Sequence, residues 1–246
     1  MKRINCFFVI IVSVVIALSN VQIFAGPPFE TDDPQPVDYL HWEFYVSSVM
    51  EYSSNDLNAT LPHFEINYGA VPNGQIHLLA PLGYVQAGPE KHYGYMDTEL
   101  GLKYRFVNDS SGLMVGIFPL VELPTGNQNK QLGNGKVQAY LPLWLQKSWG
   151  KCTTYGGAGY WYNPGIDNKN WIFAGWEAQY DFSDSFTLGG ELYFHSADTN
   201  EGTSFTGLNI GGIINIGEHN HILLSIGHSF NNNGITTGYA GYQMTI

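Results

Sequence analysis

Acidic side chains recur in this chain at alternate positions within otherwise apolar stretches. Glu177 and Asp181 lie between Trp171 and Phe182, and Glu191 lies in the next such stretch. Successive side chains of a β-strand point to opposite faces, so this spacing puts the carboxylates on one face and the apolar residues on the other. Where water reaches such an acidic face, we expect it to attract cations or repel anions.

The same alternation predicts inward-facing charged residues on several strands. The acids are Glu43, Glu65, Asp97, Glu99, Glu122, Glu177, Asp181 and Glu191, and the bases beside them are Lys103 and Arg105. One interpretation is an electronegative, water-containing interior in which these are candidate selectivity groups. The other is a packed polar core in which the acids pair with the two bases and with Tyr, Asn and Gln. The excess of acid favours some water inside, because unpaired charges need it.

Aromatic residues are predicted on both faces of the strands. The inward set is Tyr45, Phe118, Tyr140, Trp144, Phe173, Tyr193, Phe205 and Tyr239. These side chains would either line a path for a small apolar or aromatic solute or simply fill the interior, and we favour the second interpretation. The outward set is typical of the aromatic girdles of a membrane protein and comprises Trp42, Phe44, Tyr68, Tyr104, Phe106, Tyr180, Phe182 and Phe194.

The elements that must position these residues are strands of roughly ten residues separated by turn-rich stretches. We predict an all-β fold, a transmembrane antiparallel up-and-down β-barrel of about 12 strands. The strands are expected to start near His41, Leu61, Gln75, Gly94, Gly112, Lys136, Cys152, Asn170, Phe186, Ser204, His221 and Gly234. Tight connections, predicted to be periplasmic, alternate with longer ones, which include residues 55–60 and 86–93.

The N-terminus predicts export. Lys2 and Arg3 precede the apolar run from Cys6 to Leu18, so residues 1–25 are predicted to be a helical signal peptide. Residues 26–40 are rich in proline, which disfavours a helix or a central strand. They would form either a periplasmic tail or a plug in the lumen, while residues 41–246 form the barrel. The protein is therefore expected in the bacterial outer membrane, in contact with lipid.

The composition and net charge limit the class of protein and the partners that fit this chain. Only 13% of the residues are charged, against about a quarter in soluble domains, and aromatic residues make up 15%. The full chain carries a net charge of -11, and two basic residues lie in the predicted signal. This acidic balance disfavours a nucleic-acid partner. After the signal only Cys152 remains, so a disulfide within the chain is excluded.

Residues capable of catalysis or metal binding are few. His228 and Ser229 are neighbours on a predicted strand and therefore point to opposite faces, which argues against a base–nucleophile pair. His219 and His221 supply too few ligands for a convincing metal site. We expect no catalytic residue, no metal and no cofactor.

Both ends of the mature chain resemble one family. Pro27-Pro28-Phe29, Thr31-Asp32-Asp33-Pro34 and His41-Trp42-Glu43-Phe44-Tyr45 are similar to the opening of the phenol meta-pathway degradation family of outer-membrane β-barrel, transporter-like proteins. Gly227-His228-Ser229-Phe230 and Gly241-Tyr242-Gln243 resemble its last hairpin. The match covers about a fifth of the chain, and Ile246 departs from the usual terminal aromatic residue. The resemblance implies transport across the outer membrane and suggests aromatic compounds as solutes.

The function predicted from these features is a passive channel or transporter for small solutes, including small aromatic or apolar compounds. A closed structural or adhesive barrel whose loops bind partners is the first alternative, and a lipid-modifying enzyme is the second. Neither the solute nor the oligomeric state follows from the sequence.

Overall fold

The computed structural model describes residues 27–54, 56–230 and 234–246. The signal peptide predicted over residues 1–25 lies outside the described residues. Strands account for most of the described chain, and their bounds are β1 Trp42–Ser53, β2 Asp56–Val71, β3 Gly74–Ala87, β4 Glu90–Tyr95, β5 Thr98–Asn108, β6 Leu113–Ile117, β7 Leu120–Leu123, β8 Gln138–Trp149, β9 Cys152–Tyr162, β10 Trp171–Ser183, β11 Phe186–His195, β12 Phe205–Asn215, β13 Asn220–Ser229 and β14 Thr236–Thr245. A short 3-10 helix covers Gln128–Lys130.

These segments form a closed antiparallel barrel of twelve strands, which confirms the predicted fold class. Each strand pairs with its neighbours in the chain, and β1 pairs with β14 from Glu43↔Thr245 to Tyr52↔Thr236 to close the sheet. The segments β4 and β5 both pair with β3 and act as one strand, and β6 and β7 together fill the place between β5 and β8. Among the described residues, closure leaves every strand segment except β4 paired on both sides, as a bilayer requires, while β4 pairs only with β3.

The two interrupted strands have local causes. Between β6 and β7 stands Pro119, which has no N–H to give to the sheet ladder. Between β4 and β5, the Asp97 carboxylate turns towards a loop and accepts hydrogen bonds from the main-chain N–H groups of Gly126 at 2.8 Å and Asn134 at 2.7 Å.

Two of the expected loops are strands instead. Residues 56–60 belong to β2 and residues 90–93 to β4, so both strands begin several residues before their predicted starts. Leu57 pairs with Gln86, and Tyr84 pairs with Tyr93. Polar residues fit there because strands that extend beyond the bilayer meet water on both faces, so the polarity that suggested loops does not prevent pairing.

The alternation of the sequence sets which side chains face out. On β8, Leu141 and Leu143 are exposed on the outer wall and alternate with Tyr140, Pro142 and Trp144, which are buried inside. Within the described residues no helix is long and apolar enough to cross a membrane.

Candidate functional site: the barrel lumen

The described part of the Pro-rich segment, residues 27–40, runs into the lumen. The main-chain N–H groups of Glu30 and Thr31 donate to the two oxygens of the Glu191 carboxylate at 2.7 and 2.8 Å. Thr31 is fully buried. Because Glu191 lies in the middle of β11, residues 30 and 31 reach about half-way along the barrel.

A buried ion pair holds the same segment on the opposite wall. The Lys103 ammonium lies 2.9 Å from the Asp32 carboxylate and 3.7 Å from that of Asp33. Burial raises the pKa of Asp33, and the nearby Lys103 charge opposes that rise. Nearer the tight-turn end, Gln75 accepts a hydrogen bond from the Val37 N–H at 2.7 Å. Lys103 therefore pairs with acids of the segment and not with acids of the barrel wall.

Glycines on the inner wall make room for the segment. A Cβ atom at Gly175 would overlap the Thr31 hydroxyl, and one at Gly116 would lie 2.8 Å from the main-chain oxygen of Tyr104 in the wall and 3.0 Å from the Cβ of Pro34. Larger residues at these positions would occupy the volume that the segment now fills. The space left by the missing side chains thus follows the course of residues 31–34.

The Glu177 carboxylate also lies in the part of the lumen that the segment occupies. Glu177 is fully buried, it is paired in register with Glu191, and neither of its carboxylate oxygens has a hydrogen-bond partner among the described residues. Burying a carboxylate without partners is costly. The burial of Glu177 therefore contributes unfavourably to the free energy of docking of the segment.

A second cluster of acidic residues surrounds the His77 side chain. Glu99 lies 3.1 Å from Nε2 of His77, and Glu65 lies 3.5 Å from Nδ1. Asn67 donates to the Glu65 carboxylate at 2.7 Å, and its own side-chain oxygen lies 2.7 Å from the His77 Nδ1. These four residues form a row across β2, β3 and β5 on the inner wall.

The inward aromatic residues form two clusters. Trp144, Phe173 and Tyr193 pack together with Phe118 and Tyr140 on the β6–β11 side. Tyr45 lies apart from them and packs with Ile213 and Leu223. The larger cluster is buried inside the barrel, and whether its rings fill the lumen or line a path stays a prediction.

Three more of the predicted residues lie at the tight-turn end of the lumen. Glu43 is buried near the tight-turn end, where it accepts hydrogen bonds from Tyr45 and Gln243. Asp181 lies near the same end and accepts from the Thr187 hydroxyl at 2.6 Å. Arg105 donates to the Asn73 side chain, in the turn between β2 and β3, at 2.8 and 3.3 Å.

The sequence interpretation missed an aromatic stack near the loop end. Tyr140, Trp161, Trp171, His195 and Phe205 follow one another across β8 to β12, with ring-centroid separations of 4.7, 5.3, 4.0 and 5.0 Å. Trp161 continues the inward positions of β9, so its position could have been inferred from strand alternation. The contact of His195 with its neighbours depends on cross-strand register, which the alternation alone does not give.

The structure also shows where the residues considered for catalysis lie. His228 is exposed and Ser229 is buried, so the two side chains occupy opposite faces of β13. His228 contacts the Thr236 hydroxyl at 3.0 Å, and the Ser229 hydroxyl accepts from the Ile235 N–H at 2.8 Å. Among the described residues, no group of three or more His, Cys, Asp or Glu side chains is placed to hold a metal ion.

Comparison with solved structures gives the class of fold. An outer-membrane channel from Pseudomonas putida F1 superposes with a TM-score of 0.72 at 14% identity, covering 87% of this chain and 98% of the other. The KdgM porin gives 0.56 at 13% identity, covering 81% and 98%. CymD, a monoaromatic hydrocarbon channel, gives 0.51 at 9% identity, covering 85% and 89%. No model of a protein family and no curated protein sequence matches the chain.

The twelve-stranded closed barrel, its apolar outer wall and these similarities define a β-barrel with the fold of outer-membrane channels and porins. Identities of this size establish the fold and not a family. The resemblance to the phenol meta-pathway degradation family, noted from the end motifs, stays a prediction.

Proposed function

We propose that this barrel is a passive outer-membrane channel for small solutes, and that residues 27–40 form a plug that leaves the lumen when the channel opens. The observation that carries the proposal is the glycine-lined space along residues 31–34. A barrel that needed only to be filled could fill this space with its own side chains, as it does with Trp144 and Phe173 on the other side.

The contacts of the plug are suited to release. Its main anchors are the Glu191 carboxylate and the Lys103 ammonium. Glu177 opposes docking, because it is buried and its carboxylate oxygens have no hydrogen-bond partner among the described residues. Its carboxylate would be hydrated if the plug left. A docked state with such opposing contributions can exchange with an undocked one at a moderate free-energy difference.

Two features support small aromatic or apolar compounds among the solutes. Phe173, Tyr193 and the aromatic stack that ends at Phe205 give one side of the lumen a ring-lined surface. CymD, which has the same type of fold, is a monoaromatic hydrocarbon channel. The resemblance of the end motifs to a phenol meta-pathway family agrees with this solute class.

Planar bilayers test the channel itself. Purified full-length protein should give discrete conductance steps, and a barrel that is folded by its electrophoretic mobility but remains silent would favour the closed structural barrel. In a KCl gradient we expect a cation-selective reversal potential. Asp181→Asn together with Glu122→Gln should reduce that selectivity, because these two acids are partly exposed near opposite ends of the lumen. Neither of them bonds to the plug, whereas Glu191 does, so its neutralisation would alter docking as well as selectivity.

A further inference from the structure

A cavity of about 290 Å³ lies between the plug and the wall formed by β1, β2, β3 and β5 at the tight-turn end of the lumen. Its lining includes the carboxylates of Asp32, Asp38, Glu43 and Glu65, together with the basic side chains Lys103, His41 and His219. Ligand sites in proteins typically measure about 300 to 1,000 Å³, and this cavity lies just below that range, so it has room only for a small molecule.

The charges around the cavity are not balanced. The Lys103 ammonium is already paired with Asp32 and Asp33. Glu43 accepts hydrogen bonds from the neutral donors Tyr45 and Gln243, and no ion pair of Glu43 occurs within the described residues. Glu65 shares His77 with Glu99. Glu43 pairs with Asn67 and Glu65 with Tyr45, so the two glutamates are diagonal neighbours on the same face of β1 and β2 and present an anionic wall to the cavity.

The cavity also has an aromatic wall. The rings of Tyr45 and Phe118 line it together with Val37. The Lys103 ammonium lies 4.8 Å from the centroid of the Phe118 ring while it contacts Asp32 and Asp33. An ammonium ion held between carboxylates and a ring face is thus already present beside the cavity, supplied by the chain itself. Carboxylates and ring faces together are the groups that recognise organic ammonium ions.

We propose that this cavity binds a small organic ammonium ion with an apolar substituent, of the aryl- or alkylammonium class. Glu43 and Glu65 supply the counter-charge, and Tyr45 and Phe118 pack against the apolar part. Aromatic carboxylates of the same size are excluded by the two glutamates. The proposal rests on the proposed channel function, because it names the solute class that the lumen would concentrate.

Binding of three matched probes to the full-length protein in detergent at pH 7 tests this assignment. We expect benzylammonium to bind at least tenfold more tightly than benzyl alcohol, and benzoate to bind more weakly than both. Glu43→Gln and Glu65→Gln should each weaken benzylammonium binding about tenfold or more, because each removes a charge-assisted contact. Glu90→Gln is the matched control, since the Glu90 side chain is 70% exposed in an outer hairpin.

Salt dependence keeps the test decisive even where a glutamate variant does not fold. Raising NaCl from 50 to 500 mM should weaken the binding of benzylammonium to the unaltered protein several-fold and leave benzyl alcohol unchanged. Equal affinities for benzylammonium and benzyl alcohol, or unchanged affinity in both glutamate variants, would overturn the ammonium site while the conductance of the channel stands. Ammonium-selective binding by a barrel that conducts no ions would instead support the site and contradict the channel.

Discussion

Lys103→Met should release the plug, because it removes a buried cation that forms ion pairs with Asp32 and Asp33 of the segment. The Lys103 side chain is 6% exposed and Asp33 is fully buried, so the variant leaves a buried carboxylate without its counter-charge. Breaking a buried pair on one side typically costs about 3 to 5 kcal/mol. Because the Asp32 side chain is 23% exposed and water already screens it, we take the lower value. A cost of about 3 kcal/mol shifts the ratio of docked to undocked plug roughly a hundredfold.

Open probability in planar bilayers measures this shift, and it should rise towards a hundredfold where the unaltered channel is mostly closed. The pH dependence gives a second signature. Burial holds the pKa of Asp33 above its ordinary value in the docked state, so the contribution of this carboxyl to docking is most favourable at low pH and decreases as the pH rises through that raised pKa. The Lys103→Met channel should therefore close again when the pH is lowered towards 5.

Lys147→Met is the matched control for this prediction. It makes the same change of charge, but the Lys147 ammonium bonds to Ser111 in a turn of the barrel and not to the plug. An open probability for Lys103→Met equal to that of Lys147→Met would refute the role given to the ion pair. A rise in both variants would point to a general loosening of the barrel.

Two further substitutions test the interior. Gly175→Val should displace the plug and raise the conductance, because even a Cβ atom at that position overlaps the Thr31 hydroxyl. Gly190→Ala should leave the conductance unchanged, because the atom nearest to the new Cβ would lie 3.4 Å away. Trp144→Ala should lower the free energy of unfolding in urea by about 3 to 5 kcal/mol, since Trp144 is 2% exposed. For Trp149→Ala, at a position that is 56% exposed, we expect a loss of about 0.5 kcal/mol, and equal losses in the two variants would contradict the buried cluster.

The faces of the strands were predictable from the sequence. A one-residue shift of β8 would put Gln146 into lipid and Leu143 into the lumen, so the period of two fixes the inward position of Trp144. The same reasoning placed Glu177 and Glu191 inside, where the structure has them. Alternation carries this information because lipid on one side and a polar interior on the other impose opposite demands on adjacent residues.

What could not be predicted depends on contacts between distant parts of the chain. Asp32 and Lys103 are 71 positions apart, and no local pattern links them. The prolines of residues 27–40 exclude a helix but do not say whether the segment stays outside the barrel or enters it. In the sequence, Gly175 and Gly116 can be recognised only as glycines within strands. Their role in making room for residues 31–34 follows only from the position of that segment in the structure.

Raising the ionic strength should close the channel. The reason is the repulsion between the acidic groups of the plug and those of the wall, which come together when the plug docks. The plug brings the exposed acids Glu30 and Asp38 into a lumen whose wall already carries the partly exposed acids Glu65 and Glu99. The main opposing attraction, that of Lys103, is buried, and buried pairs are screened less by salt than the longer-range repulsion between partly hydrated acids. Raising KCl from 50 mM to 1 M should therefore lower the open probability, measured after correction for the change in single-channel conductance. An open probability that increases with salt would show that attraction across the lumen dominates docking, and the like-charge argument would then be wrong.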